Sequence, residues 1–368
     1  MRSLLRVADL VARIGPILLF LVFATVLAEL CAGLGLFDLV ADAVVHAAHG
    51  SVRRVWAGLV AVAVASTALL SLDTTAVLLT PVVLAVAVRL RINPVLFAMT
   101  TVLLANTASL FLPVSNLTNL LALSHLDLSV AEYAALMALP GLVAVLVTVA
   151  VLAVLHRRTL TLPRREYDEP APLEGPRAPV VVAALACAAL GPALTITGRV
   201  TVVSGLACGA VVLACLVWRR DLLHLRLVPW LLVLAVGLLF FLVQLAHEHG
   251  LGELAGRLTG TGEGPLALLR LAWVAAGAAN VLDNLPAYLA LEPVTVGSPE
   301  RLGALLVGVG VGPLVTPWAS LATLLWAQRC HAAGLAIHWG RFALTGVLVA
   351  VPAVTLATLT LSAVTSAR

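Results

Sequence analysis

Two short runs, Leu72-Asp73-Thr74-Thr75-Ala76 and Leu282-Asp283-Asn284-Leu285-Pro286, each set an acid inside an otherwise apolar stretch. The surrounding stretches, 55–90 and 265–298, each fit two half-length helices meeting at a polar tip. Two further stretches, 93–123 and 302–330, exceed a plain membrane span of about 20 residues. Asn106-Thr107-Ala108-Ser109 through Asn119 lies at the centre of one, and Gly308 through Thr323 at the centre of the other. Each fits a helix broken at mid-membrane, which is tolerated only where the freed backbone faces protein or water.

These motifs recur in order. Asp73 overlies Asp283 at an offset of 210, and Pro113-Val114-Ser115-Asn116-Leu117-Thr118-Asn119-Leu120-Leu121 overlies Pro317-Trp318-Ala319-Ser320-Leu321-Ala322-Thr323-Leu324-Leu325 at 204. Two polar motifs at nearly one offset point to duplication.

Composition agrees with a chain that sits mostly in lipid. Hydrophobic residues make up 62% of the 368 and charged residues 11%, outside the range of soluble domains. The 22 basic residues are all Arg and gather between apolar runs, which argues against nucleic-acid binding. Cys31, Cys187, Cys208, Cys215 and Cys330 lack paired spacing, so small apolar fillers are expected and not a disulfide framework or a zinc site. Arg2, Arg6 and Arg13 before an apolar run superficially resemble a signal peptide, but the run is too long and shows no small-residue cleavage site.

Plain spans are expected at about 15–37, 130–155, 179–196, 199–217, 228–247 and 338–362. Arg53/Arg54, Arg89/Arg91, Arg157/Arg158, Arg219/Arg220/Arg226 and Arg329 fall on one side, which the positive-inside rule makes cytoplasmic. Arg2, Arg6 and Arg13 then fall on the other side; an interfacial amphipathic segment, or a chain lacking upstream spans, would account for them. The first hairpin enters from the cytoplasm and the second from outside, which makes the repeat inverted.

The expected fold is an all-α polytopic membrane protein, an inverted-repeat transporter with two re-entrant hairpins and two broken helices. Its parts are a first repeat at 1–155 (span, hairpin 55–90, broken helix 93–123, span), a cytoplasmic linker at 156–178, two connecting spans at 179–217, and a second, inverted repeat at 218–368 (span, hairpin 265–298, broken helix 302–330, span).

A carboxylate at bilayer depth costs several kcal/mol unless neutralised, hydrated or paired, so Asp73 and Asp283 are the expected ion-coupling residues. The competing reading of each is a helix cap accepting backbone N–H groups. Thr74, Asn106, Ser109, Ser115, Asn116, Thr118, Asn119, Asn284, Ser320 and Thr323 supply hydroxyl and amide groups at the breaks and tips, as a polar substrate requires. The competing reading is interhelical hydrogen bonding. Glu29 fits a proton path or a snorkelling group equally well, and Arg270 and Arg301 read as interfacial anchors. No nucleotide-binding, hydrolase or metalloprotease motif is present, so the chain reads as neither an enzyme nor a cofactor protein.

At Asn106-Thr107-Ala108-Ser109-Leu110, Val114-Ser115-Asn116-Leu117-Thr118-Asn119, Asp283-Asn284-Leu285-Pro286 and Ser320-Leu321-Ala322-Thr323-Leu324-Leu325-Trp326, the chain resembles the ArsB-type arsenite/antimonite permeases. These belong to an ion transporter superfamily that includes citrate and dicarboxylate carriers. Asp73-Thr74 with Leu79-Thr80-Pro81 resembles the family's first hairpin, where Asn-Asp-Gly is usual. An Asp-Leu-Gly-Pro-Lys stretch becomes Gly310-Val311-Gly312-Pro313-Leu314, the two-Asn start of the second tip becomes Asp283-Asn284, and the short N-terminal spans of these permeases are missing.

The resemblance implies a multi-pass protein of the inner, or plasma, membrane that exports arsenite or antimonite by alternating access, coupled to protons or sodium. It leaves room for a homodimer and for an ATPase partner at the cytoplasmic face. The alternatives are a sodium-coupled citrate or dicarboxylate symporter, and a channel subunit or scaffold without coupled transport.

Overall fold

The computed structural model describes residues 2–125, 128–163 and 176–366. Helices follow one another as α1 (Arg2–Gly33), α2 (Leu36–Ala48), α3 (Val52–Leu69), α4 (Leu72–Arg89), α5 (Val95–Thr107), α6 (Leu117–His125), α7 (Val130–Leu155), α8 (Arg177–Thr197), α9 (Val200–Trp218), α10 (Trp230–Glu248), α11 (Leu251–Thr259), α12 (Pro265–Val281), α13 (Asn284–Leu291), α14 (Pro299–Val311), α15 (Leu321–Ala332) and α16 (Trp339–Ser366). No strand occurs among the described residues. Most of the polar linker, 164–175, lies outside them.

Six helices, α3, α4, α7, α8, α9 and α16, are long and apolar enough to cross a membrane. Two bent pairs add to these: Leu18–Gly33 with Leu36–Ala48 at 57°, and Val233–Glu248 with Leu251–Thr259 at 80°. Large apolar side chains such as Leu206, Leu231 and Leu266 are exposed, as a lipid-facing surface requires. The chain is an all-α, multi-pass membrane protein.

It divides into two compact units. One combines 1–36 with 175–249, the other 37–174 with 250–368. The division cuts across the repeats in a regular way. Each repeat gives its leading span, α1 or α10, to the first unit, and its hairpin, broken helix and last span to the second.

In the first unit α9 packs against α1 and α8, and α1 also meets α10. Close approach rests on Gly205, where a Cβ would lie 3.0 Å from the Phe23 ring. Cys31 and Cys187 face each other at 3.6 Å as free thiols.

In the second unit α7 packs along α16, α3 along α5, and α12 along α14. A Cβ at Gly308 would overlap the Ala272 carbonyl, and one at Gly312 would overlap Ala276, so these two glycines, one turn apart, let α14 lie against α12. The halves interlock. After its break the second broken helix packs on the first hairpin and broken helix, α15 against α4 and α5, while the first packs on the second hairpin and broken helix, α6 against α13 and α14. Trp326 Nε1 donates to Ala98 O at 2.9 Å across one of these contacts.

The hairpin arms differ in length. Those of the first, α3 and α4, have 18 residues each, longer than the half-length arms suggested by the apolar pattern, because a π-turn at Thr75–Leu79 carries the helix past Pro81. Pro81 has no N–H to donate, so widening the preceding turn keeps the helix continuous. In the second, α12 has 17 residues and α13 only 8.

Candidate functional site

The hairpin tips fix the register of the repeat. In the first, Leu70 ends α3 by donating to Ser66 O, and Ser71 caps α4 by accepting from Thr74 N at 3.1 Å. In the second, Leu282 ends α12 by donating to Ala278 O, and Asp283 caps α13 by accepting from Leu285 N at 3.0 Å. The cap positions therefore match Ser71 with Asp283, not Asp73 with Asp283. The alignment by shared acid is off by two residues, because the acids lie at different positions of equivalent turns.

Asp73 lies one residue inside α4 and is half-buried, and its carboxylate has neither a hydrogen bond nor a cation among the described residues.

The breaks match as the sequence offset of 204 requires. Asn116 and Ser320, both extended, precede α6 and α15, and Asn119 N and Thr323 N donate to Asn116 O and Ser320 O at 3.1 and 3.0 Å. Their caps differ. Asn116 Oδ1 accepts from Thr118 N at 3.2 Å, whereas the Ser320 side chain makes no cap bond.

Buried polar atoms are normally hydrogen-bonded, so the exceptions carry information. Among the described residues eight buried side-chain polar atoms have no partner, and seven lie at the two breaks: Asn106 Oδ1, Ser109 Oγ, Asn116 Nδ2, Thr118 Oγ1, Asn119 Oδ1, Ser320 Oγ and Thr323 Oγ1. The eighth, Ser204 Oγ, is in the other unit. Structural hydrogen bonding accounts for other atoms of the same set. Asn106 Nδ2 donates to Val102 O, Asn119 Nδ2 to Ser109 O and Leu112 O, and Ser115 Oγ to Ala68 O. Thr74 Oγ1 accepts from Ser71 Oγ, and Asn284 is buried at the start of α13. Gly310 brings α14 close to the first break, where a Cβ would stand 3.5 Å from Ser109 Oγ.

Asn280 does more than its place in the sequence suggested. Its Nδ2 donates to Ala276 O and Gly312 O, its Oδ1 accepts from Val315 N and Thr316 N, and its carbonyl accepts from Thr316 Oγ1 and Trp318 Nε1. It staples α12 to the irregular chain 312–318. A hydroxyl chain does similar work in the first hairpin, Thr67 to Thr75 at 3.0 Å and Thr75 to Ser66 at 2.8 Å. Asn280 precedes an acid in a polar run, and Ser66-Thr67 lies one hairpin turn from Thr74-Thr75; those were the available signals. Arg270 and Arg301 lie away from the site. Arg270 donates to Leu258 O and Arg257 O, and Arg301 to Val294 O, Gly262 O and Gly260 O.

Two interlocked broken helices, meeting paired hairpins over unpartnered hydroxyl and amide groups, define a membrane transporter. The chain belongs to the citrate transporter family, whose profile matches residues 5–323. It is 27% identical over 356 residues to the arsenical pump membrane protein of Escherichia coli K12, covering 89% of this chain and 82% of that protein. It is 28% identical, at the same coverage, to the arsenical pump membrane protein of Yersinia enterocolitica. The fold is similar to the Alcanivorax borkumensis YdaH transporter, at a TM-score of 0.57 and 15% identity over 98% of this chain and 88% of that one.

Proposed function

We propose that this transporter exports arsenite or antimonite in exchange for protons by alternating access. The observation that carries the reading is the set of seven buried, unpartnered hydroxyl and amide atoms at the two breaks. Arsenous acid is uncharged at neutral pH and hydrogen-bonds through hydroxyls, so it suits Asn106, Ser109, Asn116, Thr118, Asn119, Ser320 and Thr323 better than an arginine clamp does. The arginines flanking the second broken helix in sequence, Arg301 and Arg329, sit at the ends of α14 and α15 away from the break. The names of the arsenical pump relatives support the same cargo.

Asp73 is the proposed coupling residue, because its carboxylate is free of other bonds. A carboxylic acid that alternates between sides can take up and release a proton, and substrate exchange at the adjoining breaks would be tied to that step. Asp283 supports the site by capping α13.

A sodium-coupled citrate or dicarboxylate symporter is the second reading, favoured by the family match. Helix N-termini at α6 and α15 could hold a carboxylate in place of arginine. Uptake into everted vesicles separates the two. Arsenite accumulation driven by a proton gradient, indifferent to sodium, is expected. Sodium-driven citrate uptake without arsenite uptake would establish the second reading, and gradient-independent leakage of either solute would point to a channel.

A further inference from the structure

The second unit holds a cavity of about 80 Å³ at the end that carries Arg157, Arg158 and Arg329, away from the breaks. His156, just past α7, and His338 and Arg341, at the start of α16, line it together with the apolar wall of Trp326, Ile337 and Phe342. Among the described residues none of the three basic side chains has an acidic or hydrogen-bonding partner. Burial, and then the nearby Arg341 guanidinium, hold the His156 ring below its ordinary pKa, so the Arg341 charge is felt inside the cavity. The α5 residues there, Val95, Ala98 and Met99, bring no charge.

We infer that this cavity binds a phosphate group, with Arg341 as the fixed charge and His156 and His338 as donors. Arginine presents a planar fork of donors suited to phosphate oxygens. Basic pockets between spanning helices at the cytoplasmic level hold lipid head groups, and the aromatic wall suits the first carbons of such a lipid. Trp339 stacks edge-on against Phe342 at 5.5 Å, and Phe342 contacts Trp326 at 5.6 Å, which places an aromatic cluster where interfacial aromatics belong. Free inorganic phosphate offers the same chemistry.

The test uses the full chain and two probes. Native mass spectrometry counts phosphatidylglycerol retained by protein taken from phosphatidylcholine nanodiscs with and without that lipid. A thermal-midpoint titration with inorganic phosphate measures the free ion. Arg341→Gln should weaken whichever probe binds by about ten-fold or more, as loss of a charge-assisted contact does, and Arg341→Lys should restore part of it. Retained phosphatidylglycerol identifies a lipid site, and a phosphate-dependent midpoint a solute site; either result supports the inference. Equal behaviour of wild type and Arg341→Gln toward both probes, with both proteins folded to the same midpoint in phosphatidylcholine alone, overturns it.

Discussion

Ser71 and Asp283 hold the same place in the two hairpins, yet one is a neutral hydroxyl and the other an acid. In the first hairpin the cap is local, and the acid two residues on is left without a donor. In the second the acid is itself the cap. The two turns are alike, but the acids in them differ in position and in hydrogen bonding. A carboxylate that already accepts a backbone N–H is held in one place. One that accepts none is free to change state, which is why the proposed coupling role falls to Asp73.

The broken helices differ in the same sense. The first is fastened by side-chain bonds such as Trp56 Nε1 to Thr100 Oγ1 at 2.8 Å, and the second by glycine contacts and Asn280. Gly308→Val should give the largest structural effect, because no rotamer relieves an overlap with the Ala272 backbone. Overpacking of this kind costs about 1–3 kcal/mol or more, and detergent size-exclusion should show little monodisperse protein. Asn280→Ala should follow. It strips partners from Val315, Thr316 and Gly312, at a cost on the order of 1–3 kcal/mol once water reaches the freed groups, read as a lowered thermal midpoint with transport lost alongside. Retention of the wild-type midpoint would show that the staple is dispensable.

Capping gives the smallest effects and the sharpest contrast. Asp283→Ala and Ser71→Ala should each cost about 0.5–2 kcal/mol. Asp283→Asn, still an acceptor, should stay near the wild-type midpoint. Equal losses from Asp283→Ala and Asp73→Ala would contradict the separate roles, since Asp73 caps nothing.

Much of this was legible before any coordinates. The hairpins, the breaks and seven of the residues with unpartnered atoms follow from polar runs inside apolar stretches, because lipid makes such runs conspicuous. The break register at 204 was readable because Asn116 and Ser320 are both polar and both precede a helix. The tip register was not, because a hydroxyl and a carboxylate cap a helix equally well and sequence similarity favours matching the two acids. The role of Asn280 is not legible because its side chain bonds backbone groups, those of Gly312, Val315 and Thr316 and one in its own helix, and backbone partners leave no mark in composition. The grouping of α1 and α10 with α8 and α9 also depends on contacts between apolar faces that hydropathy does not rank.

The most direct measurement is proton-gradient-driven arsenite uptake into everted vesicles carrying Asp73→Asn or Asp283→Asn, at matched protein and matched thermal midpoint. Asp73→Asn should abolish gradient-driven accumulation and leave only passive equilibration, while Asp283→Asn keeps a reduced but gradient-dependent uptake. Wild-type accumulation by Asp73→Asn, or loss confined to Asp283→Asn, would contradict the assignment of coupling to the uncapped acid.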